Sequence, residues 1–289
     1  MSAAVRYRHV PEAATVARRS LANALTYTTA LLLAAIIIVP LVYVVLGGFR
    51  TTGQIAAQPV ALPSPWNTGN YTDILASAGF WQLVGNSILI AAVATAVVVA
   101  FGALAAFPLA RFDFRGREVL YTLFTLGLLF PVGVAILPLY LLLRDIDLLG
   151  TSLGVALPEA AFGLPVTIVI LRPFMRAIPA ELEDAAVIDG CSRFDFFWRI
   201  VVPLSRPALT TVSILAFVGS WNAFLLLLLV LGDPSGWTLP LGVANYSTQY
   251  TQDTARILSF TALSMLPALA FFVLAERRIV GGLSGAVKG

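Results

Sequence analysis

Ionisable side chains are scarce. Asp, Glu, Lys and Arg make up 11% of the 289 residues against 59% hydrophobic, and the mean hydropathy is +0.90. A chain of that length has too little polar surface to coat a soluble globule, so it reads as an integral membrane protein. The one histidine, His9, stands near the N-terminus, which excludes a zinc site of the HExxH kind. The one lysine, Lys288, is next to last, so there is no GxxxxGK[ST] phosphate loop and no reason to expect ATP hydrolysis by this chain. A single cysteine, Cys191, allows neither an intrachain disulfide nor a cysteine cluster and reads as a small packing residue. With no metal ligands gathered and no nucleophile beside a base, neither cofactor, metal nor enzymatic activity is expected.

Positive charge is present but dispersed. The net charge of +3 and isoelectric point near 9.2 come from arginines scattered among apolar runs, not from one basic face, which argues against nucleic acid as a partner. Runs long enough to cross ~30 Å of hydrocarbon as helices fall near 25–49, 84–110, 119–143, 152–172, 207–231 and 258–280. The fold class expected is therefore all-α, with six transmembrane helices. Alternate loops hold fifteen of the 18 basic residues, and the opposite side holds only Arg50, Arg144 and Arg256. That bias predicts a multi-pass protein of the cytoplasmic membrane with both termini in the cytoplasm. Residues 1–24 read as a cytoplasmic tail, and 25–289 as a single transmembrane domain.

Loops 50–83 and 232–257 fall on the outer side and mix aromatic with polar residues. They suit contact with a delivered ligand or its carrier, or equally an aromatic belt at headgroup level. Pro108, Pro131, Pro138, Pro165 and Pro267 interrupt the spans, either as hinges or as packing kinks. Glu159 and Asn222 are polar groups within spans, where such groups face a bundle interior or an aqueous path. Asn222 and Tyr140 are the candidate contacts on a solute path, with helix–helix bonding an equal reading for Asn222.

One hydrophilic stretch, Pro179 to Pro207, separates the fourth and fifth spans. Its first half predicts a short helix, with Pro179 at the first position and Glu181, Glu183 and Asp184 at the positive end of the dipole. Gly190 stops that helix. Leu182, Ala185, Ala186 and Asp189 share a face lined by small residues, suited to close approach of another backbone. A second helix restarts at Ser192 as N-cap, with Asp195 three residues on, and Phe194, Phe197, Trp198 and Val201 form an apolar stripe. Pro203 is expected to end it.

The stretch resembles the EAA loop of ABC-importer membrane subunits: E-A-A, three residues, Gly, nine residues, I-x-L-P. Here the matching residues are Asp184-Ala185-Ala186, Gly190, Ile200 and Val202-Pro203, with Asp in place of Glu and Val in place of Leu. Shorter matches extend over nearly the whole chain to the smaller permease subunit of maltose-type carbohydrate importers: LARFDFRGR at Leu109 to Arg117, LPLY at Leu137 to Tyr140, SWNAF at Ser220 to Phe224, TLPLG at Thr238 to Gly242, and the glycine-rich end from Gly281.

The resemblance implies the type I ABC importer permease fold and a heteromer: this subunit, a second permease subunit, two ATPases and an extracytoplasmic solute-binding protein, embedded in membrane lipid. It implies a sugar or oligosaccharide as solute, with a polyol or glycerophosphodiester as alternatives. It also implies coupling to the ATPase through Glu183, Asp184, Ala185, Ala186, Asp189, Gly190, Ile200 and Pro203. An ion-coupled secondary transporter is the reading from a different class, but it calls for titratable groups at the bilayer midplane, and the sequence has almost none there.

Overall fold

The computed structural model describes residues 12–247 and 251–286. Residues 1–11 of the expected tail and 287–289 of the terminal segment lie outside the described residues. The rest of that tail is not separate from the first span: α1 runs from Glu12 to Gly47 without a break, and its apolar part is Asn23–Gly47. Only 6% of that span is buried, so its Leu, Ile and Val side chains face outward, as suits a helix in contact with lipid.

Two short helices, α2 (Thr52–Ala57) and α3 (Gly69–Ala76), organise the outer loop expected over 50–83. Thr51 and Gln54 form a reciprocal capping box at the start of α2. The buried Arg50 guanidinium donates to the carbonyls of Gln54, Gln58 and Pro59, gathering the end of α2 and the chain just beyond it around one side chain.

The long helix α4 (Ala78–Arg111) then packs along α7 (Ser152–Arg176). Small residues set the separation. A Cβ on Gly102 would lie 2.4 Å from Thr167 Cγ2, and one on Gly163 would lie 3.0 Å from Val98 Cγ2, so the two backbones approach as closely as glycine allows. Pro108, Pro158, Pro165 and Pro173 stay inside these helices.

Between α4 and α7 the structure departs from the sequence expectation. The third span is not one helix over 119–143: α5 (Arg117–Gly127) and α6 (Val132–Asp145) meet at 97°. The cause is local. Pro131 has no N–H and disfavours helical backbone at Phe130, so the amides of Leu128, Leu129 and Phe130 tighten onto carbonyls three residues back and the helix stops. Pro138 and Pro267, by contrast, sit inside continuous helices.

The interspan stretch forms α8 (Ala180–Ile188), α9 (Arg193–Phe196), a wide π-type turn (Phe197–Val201) and α10 (Val202–Leu204). It leads into α11 (Arg206–Trp221) through a 77° bend. The fifth span also falls short of its expected limit at 231: α11 stops at Trp221, where the side-chain amide of Asn222 donates to the Val218 carbonyl at 2.8 Å beside the backbone N–H of the same residue at 3.1 Å. A short α12 (Leu225–Val230) follows the break. After it come α13 (Leu239–Gly242) and finally α14 (Thr254–Ala286), which begins four residues before the expected span and whose backbone carries the helix through Gly281.

By length and composition, four helices can cross a membrane alone, and six spans are reached if each bent pair counts as one. No strand forms among the described residues, only an isolated antiparallel bridge between Ser247 and Gln252.

Candidate functional site: the loop between the fourth and fifth spans

Helix α8 begins one residue later than the sequence suggests. Pro179 is its N-cap, with an extended ψ of 138°, and Glu181 and Glu183 occupy the first turn. At the other end Gly190 takes φ +78°, the Cys191 amide donates to the Ala186 carbonyl at 2.9 Å and the Gly190 amide to the Val187 carbonyl at 3.0 Å. This is a Schellman termination, and its left-handed residue is the glycine expected to stop the helix. Ser192 accepts from the Asp195 amide at 3.1 Å, capping α9 as expected. The Asp195 carboxylate accepts from the Ser192 hydroxyl, and that bond holds its pKa below the usual aspartate range.

The apolar stripe of the second half is rotated from its expected position. Phe197 and Val201 are buried, but the third inward side chain is Phe196; Phe194 and Trp198 point out, 66% and 49% exposed. The inward set meets Phe107 of α4, whose ring centroid lies 5.0 Å from that of Phe197 and 6.3 Å from that of Phe196. Nor does Pro203 end the helix. The π-type turn lets the Val202 amide bond the Phe197 carbonyl, and the helix continues through Pro203 to Leu204 and stops at Ser205.

The loop is built into the bundle. Ala186, Phe196, Phe197 and Val201 share one buried cluster with Ala103, Ala106, Phe107 and Ala110 of α4 and with Leu171 and Met175 of α7. Around this cluster two arginines tie the end of α4 to its neighbours. Arg111 donates to the Glu183 carboxylate through Nε at 2.9 Å and Nη2 at 2.6 Å, and through Nη1 to the Ile178 carbonyl at 2.5 Å. Arg172 of α7 is buried; it donates to the Leu109 carbonyl at 3.0 Å and pairs with Glu118, while its guanidinium lies 3.9 Å from the Tyr121 ring. Both cations sit where the negative end of the α4 dipole leaves carbonyls free.

Loop residues therefore divide into two sets. Ala186 is buried, Ile200 and Pro203 are partly buried, and Glu183 is half-buried in its ion pair with Arg111. Asp184, Ala185, Asp189 and Gly190 face outward together with Val187 and Ile188, the latter 85% exposed. So the small-residue face splits: of its expected members Leu182, Ala185, Ala186 and Asp189, only Ala186 turns inward. The pairing of Glu183 with a residue 72 positions away escaped sequence reasoning, although Arg111 stands inside a quoted motif.

Asn222 and Tyr140 are not brought together. Asn222 lines a cavity of about 270 Å³ between α1, α11, α13 and α14, and Tyr140 does not. A larger cavity of about 400 Å³ lies between α4, α7, α11 and α12 and holds Glu159. Among the described residues no three His, Cys, Asp or Glu gather as metal ligands.

The model of the family described as binding-protein-dependent transport system inner membrane component matches residues 98–280, which include the whole loop. The chain belongs to this family. Its permeases are transport subunits of ABC importers rather than enzymes, and this chain is a multi-pass membrane protein of that kind. It is 34% identical to the diacetylchitobiose uptake system permease protein NgcG of Streptomyces coelicolor, over 90% of this chain and 87% of that protein. It is 37% identical to the trehalose transport system permease protein SugB of Mycobacterium tuberculosis, over 79% of this chain and 84% of that one. A chain of the crystal structure of a bacterial ABC transporter importing the acidic polysaccharide alginate superposes with a TM-score of 0.77, covering 95% of this permease and 99% of that chain at 20% identity, so the two share a fold.

Proposed function

We propose that this permease forms, with a second permease subunit, the translocation path of an importer for a sugar or oligosaccharide, and that residues 179–207 couple it to the ATPases. What supports the coupling role is the division of the loop. Its inner side is tied to α4 by the Arg111–Glu183 pair and shares a buried cluster with α4 and α7, while Asp184, Ala185, Val187, Ile188 and Asp189 stay free for a partner. A force applied to that free face passes into α4 and α7 because packed interiors transmit displacement rather than absorb it.

On this reading the loop and both termini are cytoplasmic, in keeping with the arginine distribution. ATP closes the ATPase pair, the loop moves with it, and the helices alternate between inward and outward access. A solute-binding protein delivers the sugar from outside. Diacetylchitobiose and trehalose, the named solutes of these two relatives, favour a neutral di- or oligosaccharide.

Co-purification tests the assembly. Tagged permease should retain the second permease and the ATPase, and ATP hydrolysis by the complex should rise with binding protein and its sugar. A complex that forms but hydrolyses ATP at one rate whatever sugar is supplied would contradict the proposal.

A further inference from the structure

The cavity of about 400 Å³ between α4, α7, α11 and α12 is lined chiefly by apolar side chains, among them Phe162 and Phe224. Its acidic member is Glu159, from α7. The Ser220 hydroxyl of α11 donates to Glu159 Oε2, and Oε1 is buried without a hydrogen-bond partner. A buried carboxyl oxygen left unpaired is costly, and the cost disappears when a donor enters the cavity. No arginine or lysine lines the space, so nothing there compensates an anion.

From this geometry we infer that the cavity is a solute subsite of this subunit, in which Glu159 accepts hydrogen bonds from a hydroxyl or acetamido group of an uncharged sugar while Phe162 and Phe224 meet its C–H faces. The inference rests on the importer reading and adds to it the position and the charge class of the solute. Its volume lies within the usual range for small-molecule sites. An acidic sugar, such as the solute of the structurally similar alginate transporter, would put its own anion among apolar side chains with no cation to pair it. A helix of the second permease is the other occupant to consider, but apolar side chains laid over the cavity would leave Oε1 still unpaired.

The test uses the complete transporter in proteoliposomes and begins with ATP-dependent uptake by wild type of diacetylchitobiose, trehalose and an alginate oligosaccharide, each supplied at saturating concentration. Uptake of none of them, or of the alginate oligosaccharide alone, counts against the inference, and uptake of none counts also against the importer reading beneath it. With a transported neutral sugar in hand, Glu159→Leu should slow uptake about tenfold or more while Glu159→Gln, which keeps an acceptor, stays within a few-fold of wild type. Equal uptake by assembled wild type and Glu159→Leu would overturn the assignment.

Should the leucine variant fail to assemble, a cysteine reports on the cavity directly. Gly219 lines it, and a Cβ added there meets nothing within 4 Å, so Gly219→Cys in a Cys191→Ser background is tolerated sterically. Labelling of that cysteine by a membrane-permeant maleimide should be slowed by the transported neutral sugar and not by the alginate oligosaccharide. Labelling unaffected by the transported sugar, or blocked in the assembled transporter before any sugar is added, would reject the subsite, the second result assigning the cavity to a subunit contact.

Discussion

Substituting Glu183 with Gln removes the charge from the ion pair that ties α8 to the end of α4. The Arg111 side chain is 8% exposed and that of Glu183 30%, so the pair is neither fully dry nor a surface bridge. A fully buried pair broken from one side costs about 3–5 kcal/mol, whereas exposed pairs contribute about 0.2–1 kcal/mol. Two charge-assisted bonds to one carboxylate oxygen place this contact between those limits, at about 1.5–3 kcal/mol. Arg111 also bonds the Ile178 carbonyl and lies 5.9 Å from the Phe196 ring, so its own substitution removes more than the pair. A double-mutant cycle with Glu183→Gln, Arg111→Leu and both isolates the coupling, because those extra losses cancel. The assay is amide hydrogen exchange of α8 in the purified transporter, which reads local opening. Opening in Glu183→Gln should rise roughly 10- to 150-fold, and the double variant should be less perturbed than the sum of the single ones. Additivity within about 0.5 kcal/mol, or unchanged exchange in α8, would refute the view that this pair holds the loop to the bundle.

Other outcomes follow from the same geometry. Asp184→Asn should weaken capture of the cognate ATPase by roughly 10- to 150-fold if the partner shields the contact and leave α8 exchange unchanged; equal retention in a pull-down would remove Asp184 from the interface. Gly190→Val should cost about 1–2 kcal/mol through its left-handed backbone alone, since nothing lies within 4 Å of an added Cβ, and should lower uptake per ATP hydrolysed; wild-type stoichiometry would argue against a rigid turn. Gly102→Leu should force α4 and α7 apart, with a loss of thermal stability that Thr167→Ala partly restores; a stable single variant would deny the close approach. An impermeant thiol reagent applied to intact cells should label Ser64→Cys and not Cys191; labelling of Cys191 would reverse the orientation.

Much of the loop was legible because its signals are local. Gly190 stops a helix by backbone freedom, Ser192 caps one by the reach of its own hydroxyl, and neither needs knowledge of distant residues. The first, second, fourth and sixth spans were legible for the same reason. Hydropathy, however, carries no direction, so it passes straight through Pro131 and Asn222, where the helices break. Pro108, Pro138, Pro165 and Pro267 do not break their helices, and only packing distinguishes them from Pro131. The aromatic run offers two helical stripes, Phe194, Phe197, Trp198, Val201 or Phe196, Phe197, Ile200, Val201, and the choice is made by Phe107, far away in sequence. Glu183 and Asp184 are likewise adjacent acids, and it is Arg111 that turns the first inward. The Glu159–Ser220 contact required two spans to be brought side by side, which no local pattern encodes.

The central claim, ATP-driven import through this permease, is tested most directly by uptake of labelled disaccharide into proteoliposomes holding the full complex, with binding protein on the outer-face side and ATP on the other. The account predicts uptake that requires ATP and the ATPase subunit and persists when ionophores collapse the proton and sodium gradients. Uptake that follows an imposed ion gradient without ATP would contradict it.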